Sequence, residues 1–370
     1  MVKPFDNIYE GKRVLVTGHT GFKGAWMSLW LHALGAEVSG YSLPPASSQS
    51  LFSLLAPDLF RESVLADVRD GNCLKGAIAR IRPEIIFHLA AQPLVGLSYK
   101  QPLDTFTTNA LGTALLLESL RDIKAECAVV VVTSDKCYRN DNSGIPFKES
   151  DPLGGSDVYS MSKAATELVV SSWHSSFFKN NADLGALATG RAGNVVGGGD
   201  YAEDRIVPDL VRSYVSKEAL VLRRPHATRP WQHVLESLSG YLSLGQRLLS
   251  SPNKEELLSF NFGPDPDAER SVQELVDQWG QEWPSEFSVK TDSQPAYAEA
   301  YKLGLDHSLA TATLGWKPVW DFAKTVKSTA EWYRLRHEGS ASTEMMVAFT
   351  RSQIASYVAD AAAKKISWAN

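Results

Sequence analysis

The first strongly apolar run of the chain, KRVLVTG at 12–18, is rich in β-branched residues and stops at a glycine. The next, GAWMSLWLHALG at 24–35, carries its apolar residues at helical spacing and stops at Gly35. A strand, a turn and a helix are predicted, and the pattern recurs. EVSGYSL (37–43) reads as a strand, a third short strand precedes LADVRD, and CLKGAIARI (73–81) reads as a helix stopped by Pro83. EIIFHLAA (84–91) reads as a continuous buried strand. Helical DTFTTNALGTALLLESLRDI (104–123) leads to the strand AVVVVTS (128–134), and helical YSMSKAATELVVSSWHSSF (159–177) leads to LGALATGRA (184–192). Such alternation predicts an α/β fold whose parallel sheet is covered by helices on both faces and joined by right-handed crossovers.

After about residue 193 the texture changes to glycines, scattered prolines and shorter periodic segments such as VPDLVRSYV (207–215) and VLESLSGYLSLGQRLL (234–249). The expected organisation is a first domain over 1–192, with segments from about 230–258 returning to it, and a smaller lobe mainly over 193–335. TATLGWKPVW (311–320) ends a helix on a Trp-Pro turn, and a helical extension over 336–370 offers no chemistry. With 44% hydrophobic and 21% charged residues the chain has the composition of an ordinary globular protein. A net charge of −5 argues against a nucleic-acid or anionic-membrane surface, which leaves a small-molecule substrate as the expected partner. Three widely spaced cysteines, Cys73, Cys127 and Cys137, suggest neither a disulfide framework nor a zinc site, and no metal is expected. The N-terminal residues lack a signal-peptide pattern and no stretch has the apolar length of a membrane span, so a cytoplasmic chain is expected.

Candidate chemistry begins at GHTGFKG, with Gly18, Gly21 and Gly24 between a strand and a helix. Gly18 permits the tight turn, Gly21 lets backbone approach a pyrophosphate, and Gly24 lets helix pack on strand, with the helix N-terminus facing the phosphates. Dinucleotide sites of this kind usually carry an acidic residue about 20 positions on, against the adenosine ribose. Here Tyr41 and Ser42 end the second strand, and no arginine waits there for a 2′-phosphate either. Asp67 contacts the adenine or caps the following helix; both readings fit. Further along, Tyr159 and Lys163 in YSMSK lie four apart on one helix face. A free tyrosine has a pKa of about 10, and a lysine ammonium beside a positive nicotinamide ring lowers it toward neutrality.

The set VTGHTGFKG, HLAAQ (88–92), TTNALGT (107–113), TSDKCY (133–138), YSMSK and RAGNVVGGGD (191–200) resembles the extended short-chain dehydrogenase/reductase family, and within it the members that dehydrate nucleotide sugars. The resemblance runs from about residue 10 to about 330. It implies a Rossmann-type, doubly wound NAD-binding domain with a smaller C-terminal α+β domain for the nucleotide sugar. It implies cofactor contacts from the turn residues Thr20, Phe22 and Lys23 with their three glycines, and from Tyr41, Ser42, Asp67, Val68, Leu89, Ala90, Ala91 and Asn109. Tyr159 is then the base at the sugar 4-hydroxyl, Lys163 holds the nicotinamide ribose, and Ser134 bonds the same hydroxyl. Asn109 supports the active-site lysine, or is a helix-interior asparagine satisfied by backbone. For the substrate the resemblance implies Asn194 at the sugar phosphate, Arg229 in RPWQHV at the diphosphate, and Arg205 as a further candidate; arginine forks suit a diphosphate. Gln92 is a candidate to face the sugar, whereas His88 reads as a satisfied core histidine. A homodimer or homotetramer, associated through helices over about 104–123 and 156–177, is also implied.

The pair after Ser134 separates the possible reactions. Oxidation at C4 acidifies the C5 hydrogen, and loss of water across C5–C6 then needs a base for that hydrogen and an acid for the departing 6-hydroxyl. A 4-epimerase needs neither. Asp135 and Lys136 are two proton-handling groups at that point, with Asp135 read as the acid and Lys136 as the base or as the enolate stabiliser. Members acting on dTDP-sugars carry Asp-Glu, so the lysine points to the branch acting on CDP-sugars. A lysine base would have to be neutral, at a cost of about 4 to 5 kcal/mol at pH 7 unless burial offsets it. The implied activity is an NAD-dependent lyase converting CDP-D-glucose to CDP-4-dehydro-6-deoxy-D-glucose for dideoxysugar and lipopolysaccharide O-antigen synthesis. The rivals are another nucleotide-sugar dehydratase, a 4-epimerase, and an NAD-sensing Rossmann protein without catalysis.

Overall fold

The structure, a computed structural model, describes residues 3–251, 254–265, 268–283, 288–291, 303–339 and 341–370. Seven strands form its central sheet: β1 Arg13–Thr17, β2 Glu37–Ser42, β3 Glu62–Leu65, β4 Ile85–His88, β5 Ala128–Val132, β6 Leu187–Ala192 and β7 Leu258–Phe262. They lie in the order β3-β2-β1-β4-β5-β6-β7, every pair parallel. The order reverses between β1 and β4, which opens a crevice at the carboxyl ends of those strands. β4 (IIFH) and β5 (AVVVV) are buried along their whole length. Val14, Val16 and Val130 enter one apolar cluster while Leu15, Val129 and Val131 enter the other, so both faces of the sheet are covered.

Helices α1 (Phe22–Ala33) and α2 (Gly71–Ile81) follow β1 and β3. The side chain of Asp70 caps α2 by accepting from Cys73 N, and the helix ends on Arg82 in the left-handed region just before Pro83. The predicted helix over 104–123 is regular as α3 (Gly112–Ile123) and widens at Thr107–Leu111 into a π-helical turn that carries Asn109. α4 (Val158–Trp173) starts on Asp157, which accepts from Ser160 N, and carries Tyr159 and Lys163 on its buried face. A second π-helical turn, His174–Phe178, ends that run.

Beyond β6 the chain builds short ladders: Val195–Val196 pairs with Gln232–His233, Thr228–Pro230 with Glu269–Ser271, and Leu220–Leu222 with Val289–Thr291. They are interleaved with α5 (Ile206–Ser216), α6 (Val234–Ser250) and α7 (Val272–Glu282), the last opened by a Ser271/Glu274 capping box. α6 lies back on the central sheet, its Tyr241 ring filling the space left by Gly190 of β6. α8 (Phe322–Glu338) and α9 (Thr343–Ala363) complete the chain. The end of the chain closes over α1: Tyr357 packs edge-on against Trp30, and Trp368 stacks on Phe5 at 4.9 Å.

Candidate active site

The turn after β1 is a cradle made by missing side chains. Gly18 has φ +75°, and a Cβ there would stand 2.8 Å from Ala90 N. A Cβ at Gly24 would stand 2.0 Å from Gly18 O, so only glycine lets α1 sit directly on the turn. Gly21 is the N-cap of α1 and supplies no side-chain cap, which leaves the first N–H groups of the helix for an anion. Leu89 and Ala90 brace the turn from β4, their N–H groups donating to Thr17 O and Thr17 Oγ1. Ala91 continues the same edge, partly buried. Phe22 lies across the turn toward Gly197, where a Cβ would meet its ring at 3.2 Å.

The end of β2 is closed on itself. Thr20 Oγ1 donates to Leu43 O and pairs with Ser42 Oγ at 2.8 Å, and Tyr41 Oη donates to Asp67 O at 2.9 Å. The carboxylate of Asp67 is clasped by Arg69, whose Nη2 lies 2.6 Å away, which holds the acid below the usual carboxylate range. Val68 is buried against Gly112 of α3. The side chain of Lys23 reaches inward and donates to Tyr241 Oη at 3.1 Å. Burial pushes this ammonium down to about 7, Arg205 and Lys163 acting in the same sense and Asp135 against them.

At the end of β5, Ser134 Oγ donates to Asp135 Oδ1 at 2.8 Å and accepts from Lys136 N at 3.2 Å. Asp135 is 1% exposed, and its Oδ2 has no partner among the described residues. A Cβ on Gly193 would come within 3.0 Å of that oxygen and 3.4 Å of Pro230 Cγ, so the free carboxyl oxygen faces the segments after β6 that carry these two residues. Lys136 is half-buried at the same edge. Tyr159 is buried, and burial pushes its hydroxyl up to about 12; a hydrogen bond with Ser134 works the other way, Asp135 raises it further, and Arg205 lowers it. Lys163 Nζ donates to Val132 O at 3.3 Å, and burial pushes it down to about 8 against the opposing charge of Glu167.

Asn109 clamps the neighbouring loop: its Oδ1 accepts from Gln92 N at 2.8 Å, and its Nδ2 donates to Gln92 O and to Ser162 Oγ, the residue before Lys163. The Gln92 amide, a sequence candidate to face the sugar, is instead engaged inside the protein, donating to Leu94 O and to Thr105 Oγ1 on the helix Pro102–Phe106 and accepting from Leu94 N. His88 is held between Thr17 Oγ1 and Thr113 Oγ1 at 2.7 and 3.1 Å, a satisfied core histidine. From the chain beyond β6, Arg205 donates to Asp200 Oδ2 at 2.7 Å and acts electrostatically on Tyr159. Arg229 is buried and donates to Thr228 O at 2.7 Å. Asn194 is partly buried, and its carbonyl accepts from Gln232 N, which draws the 193–196 segment over Asp135.

Three features of this region were not singled out from the sequence: Gly193 beside Asp135, Tyr241 under Lys23, and a buried Glu167–Arg191 pair. Glu167 stands four residues beyond Lys163 on the same helix face, and Arg191 and Gly193 lie in the RAGNVVGGGD segment without a role of their own there. No group of potential metal ligands exists among the described residues.

A doubly wound parallel sheet, a glycine cradle at its first turn and a Ser/Tyr/Lys set at the carboxyl edge define a short-chain dehydrogenase/reductase. The chain belongs to the family described as GDP-mannose 4,6 dehydratase, whose model matches residues 15–329. It is 43% identical to the CDP-glucose 4,6-dehydratase of Salmonella typhimurium over 95% of this chain and 98% of that protein. It is 24% identical to a dTDP-glucose 4,6-dehydratase of Xanthomonas campestris, over 86% of this chain and 92% of the relative. Among solved structures, DesIV, the dTDP-glucose 4,6-dehydratase of Streptomyces venezuelae, with NAD bound, matches with TM-score 0.75 at 25% identity, covering 88% of this chain and 98% of its own. An epimerase of Methanothermobacter thermautotrophicus shares the fold, with TM-score 0.76 at 23% identity over 90% of this chain and 96% of its own.

Proposed function

We propose that this chain is an NAD-dependent lyase that converts CDP-D-glucose to CDP-4-dehydro-6-deoxy-D-glucose. The observation that carries the reading is Asp135: a buried carboxyl with one unengaged oxygen, beside Ser134 and Tyr159, at a place where epimerisation has no use for an acid. The 43% identity to a CDP-glucose 4,6-dehydratase supports the substrate. The glycine cradle and uncapped α1 fit a dinucleotide pyrophosphate, and NAD held there would supply a hydride acceptor for sugar C4 and the hydride returned to C6.

The residues act at named atoms. Tyr159 Oη takes the proton of the sugar 4-hydroxyl while Ser134 Oγ bonds the same oxygen. Burial holds the hydroxyl of Tyr159 up at about 12 against the lowering effects of Ser134 and Arg205, so the positive charge of a bound nicotinamide would have to bring it toward neutrality. Asp135 protonates the departing 6-hydroxyl, and Lys136 handles the C5 proton, as base or by stabilising the enolate. Arg205 and Arg229, with Asn194, hold the diphosphate across the crevice. Exposed Leu103, Phe106, Leu111, Met161 and Leu168 on adjoining helices support a homodimer, or a pair of dimers, formed through that face.

The test is incubation with CDP-, dTDP-, GDP- and UDP-hexoses, reading the alkaline absorbance of 4-keto sugars. CDP-glucose is expected to give it fastest. A 4-epimer without keto product would favour an epimerase, and no turnover of any of the four would favour an NAD-sensing protein. Direct titration should show NAD binding tighter than NADP; the reverse order would overturn the cofactor assignment.

A further inference from the structure

One buried ion pair sits behind the candidate catalytic residues without being one of them. Glu167 on α4 and Arg191 on β6 are 2% and 4% exposed and form a two-pronged bridge, Nε to Oε1 at 2.9 Å and Nη2 to Oε2 at 2.8 Å. The remaining bonds of the pair go to particular places. Thr133 donates to Glu167 Oε1, Thr189 donates to Oε2 at 2.9 Å, and Arg191 Nη1 donates to Tyr138 Oη at 2.7 Å and to Glu149 O at 3.1 Å. The guanidinium also lies over the Tyr138 ring, 5.0 Å from its centroid. Tyr138 in turn donates to Asn261 Oδ1 of β7 at 2.7 Å.

Thr133 and Tyr138 are the flanks of the segment that contains Ser134, Asp135 and Lys136, and both end on this one pair. Glu167 is also the third member, after Tyr159 and Lys163, of a stripe at four-residue spacing on α4. The pair therefore joins the turn that carries the acid to the helix that carries the base. A buried pair of charges contributes little net stability but holds its geometry tightly, because moving either member strands the other. We propose that Glu167 and Arg191 are positioning residues that fix Asp135 and Lys136 relative to Tyr159 and Lys163, and so set the rate of water elimination. The inference rests on the dehydratase reading above.

Glu167 acts on Lys163 as well, opposing the loss of its proton. The titratable and charged groups facing Lys163 are Glu167 on its own helix, Cys137 from the turn after β5, Lys23 from α1 and His88 from β4. Removing the Glu167 charge lowers Lys163 further, so the alkaline limb of the rate profile moves to lower pH. A role confined to stability leaves that limb in place.

The test uses two mild variants, Thr133→Val and Tyr138→Phe, their double variant, and Glu167→Gln with Glu167→Asp as its conservative partner. The double variant is expected to lose about tenfold or more in kcat with KM within about threefold, because small misplacements near reacting groups are costly. In the cofactor-free protein its amide exchange over 133–138 should accelerate while β1 and α1 are unchanged. Glu167→Gln should shift the alkaline limb downward and Glu167→Asp should restore it. A double variant that keeps kcat within about twofold of the parent and leaves exchange over 133–138 unchanged would overturn the proposal, whatever becomes of Glu167→Gln. Failure of the dehydratase reading shows separately, as absence of turnover in the unaltered enzyme, and the exchange measurement does not depend on it.

Discussion

Gly193 decides what can stand over Asp135. Its backbone has no need of a left-handed conformation, so the lack of a side chain serves space rather than strain. Gly193→Ala would set a methyl 3.0 Å from Asp135 Oδ2, and turnover of CDP-glucose is expected to drop about tenfold or more while the unfolding midpoint moves by only a few degrees. Lys136→Ala is expected to lower turnover by about 10²- to 10⁴-fold if its amine transfers the C5 proton. Deuterium entering C5 from solvent at an unchanged rate in that variant would remove Lys136 from the role of base. Ser134, Asp135 and Lys136 stand out in the sequence as candidates because they are consecutive, and Tyr159 and Lys163 because helical spacing joins them. Gly193 could not, since nothing local says that residue 193 meets residue 135; that follows from β5 and β6 being neighbours in the sheet.

At the scale of elements, α6, α9 and the turn before α8 meet at Glu236. This carboxyl is fully buried and accepts from Val319 N, Trp320 N and Tyr357 Oη at 3.0, 2.7 and 2.7 Å. Burial outweighs those bonds and pushes it up to about 7. A carboxyl raised in the folded state stabilises fully at pH below its unfolded value near 4.5, and the contribution is lost as pH rises to about 7, on the order of 3 kcal/mol in all. Thermal midpoints across pH 5 to 8 should therefore fall less steeply for Glu236→Gln than for the parent; parallel curves would contradict the assignment. Most of the long elements were legible from periodicity, including the helix near the C-terminus, but α7 and α8 were not. Its partners were not, because Tyr357 and Trp368 reach residues more than a hundred positions earlier. Ladders of two or three residues, such as Val195–Val196 with Gln232–His233, leave no period to read.

For the whole molecule, the sheet order β3-β2-β1-β4-β5-β6-β7 brings the cradle after β1, the acid after β5 and Gly193 after β6 to one edge. The alternation of strands and helices announced the parallel sheet, but not which strands would be neighbours. The same architecture turns the helix before α3 and the outer face of α4 to solvent, with Leu103 77% and Leu168 61% exposed. If the proposed dimer forms through this face, Leu103→Glu with Leu168→Glu should lower the mass found by sedimentation to that of a monomer, because like charges facing across a two-fold interface repel; a parent that is already monomeric, or a dimer mass unchanged in the variant, would contradict the proposal. Loss of water from the sugar is tested most directly by the mass and proton spectrum of the sugar formed from CDP-glucose and NAD in deuterated water. The expected product is lighter by one water, carries a methyl group at C6 and has deuterium at C5; a product of unchanged mass, epimerised at C4 with no deuterium at C5, would contradict it.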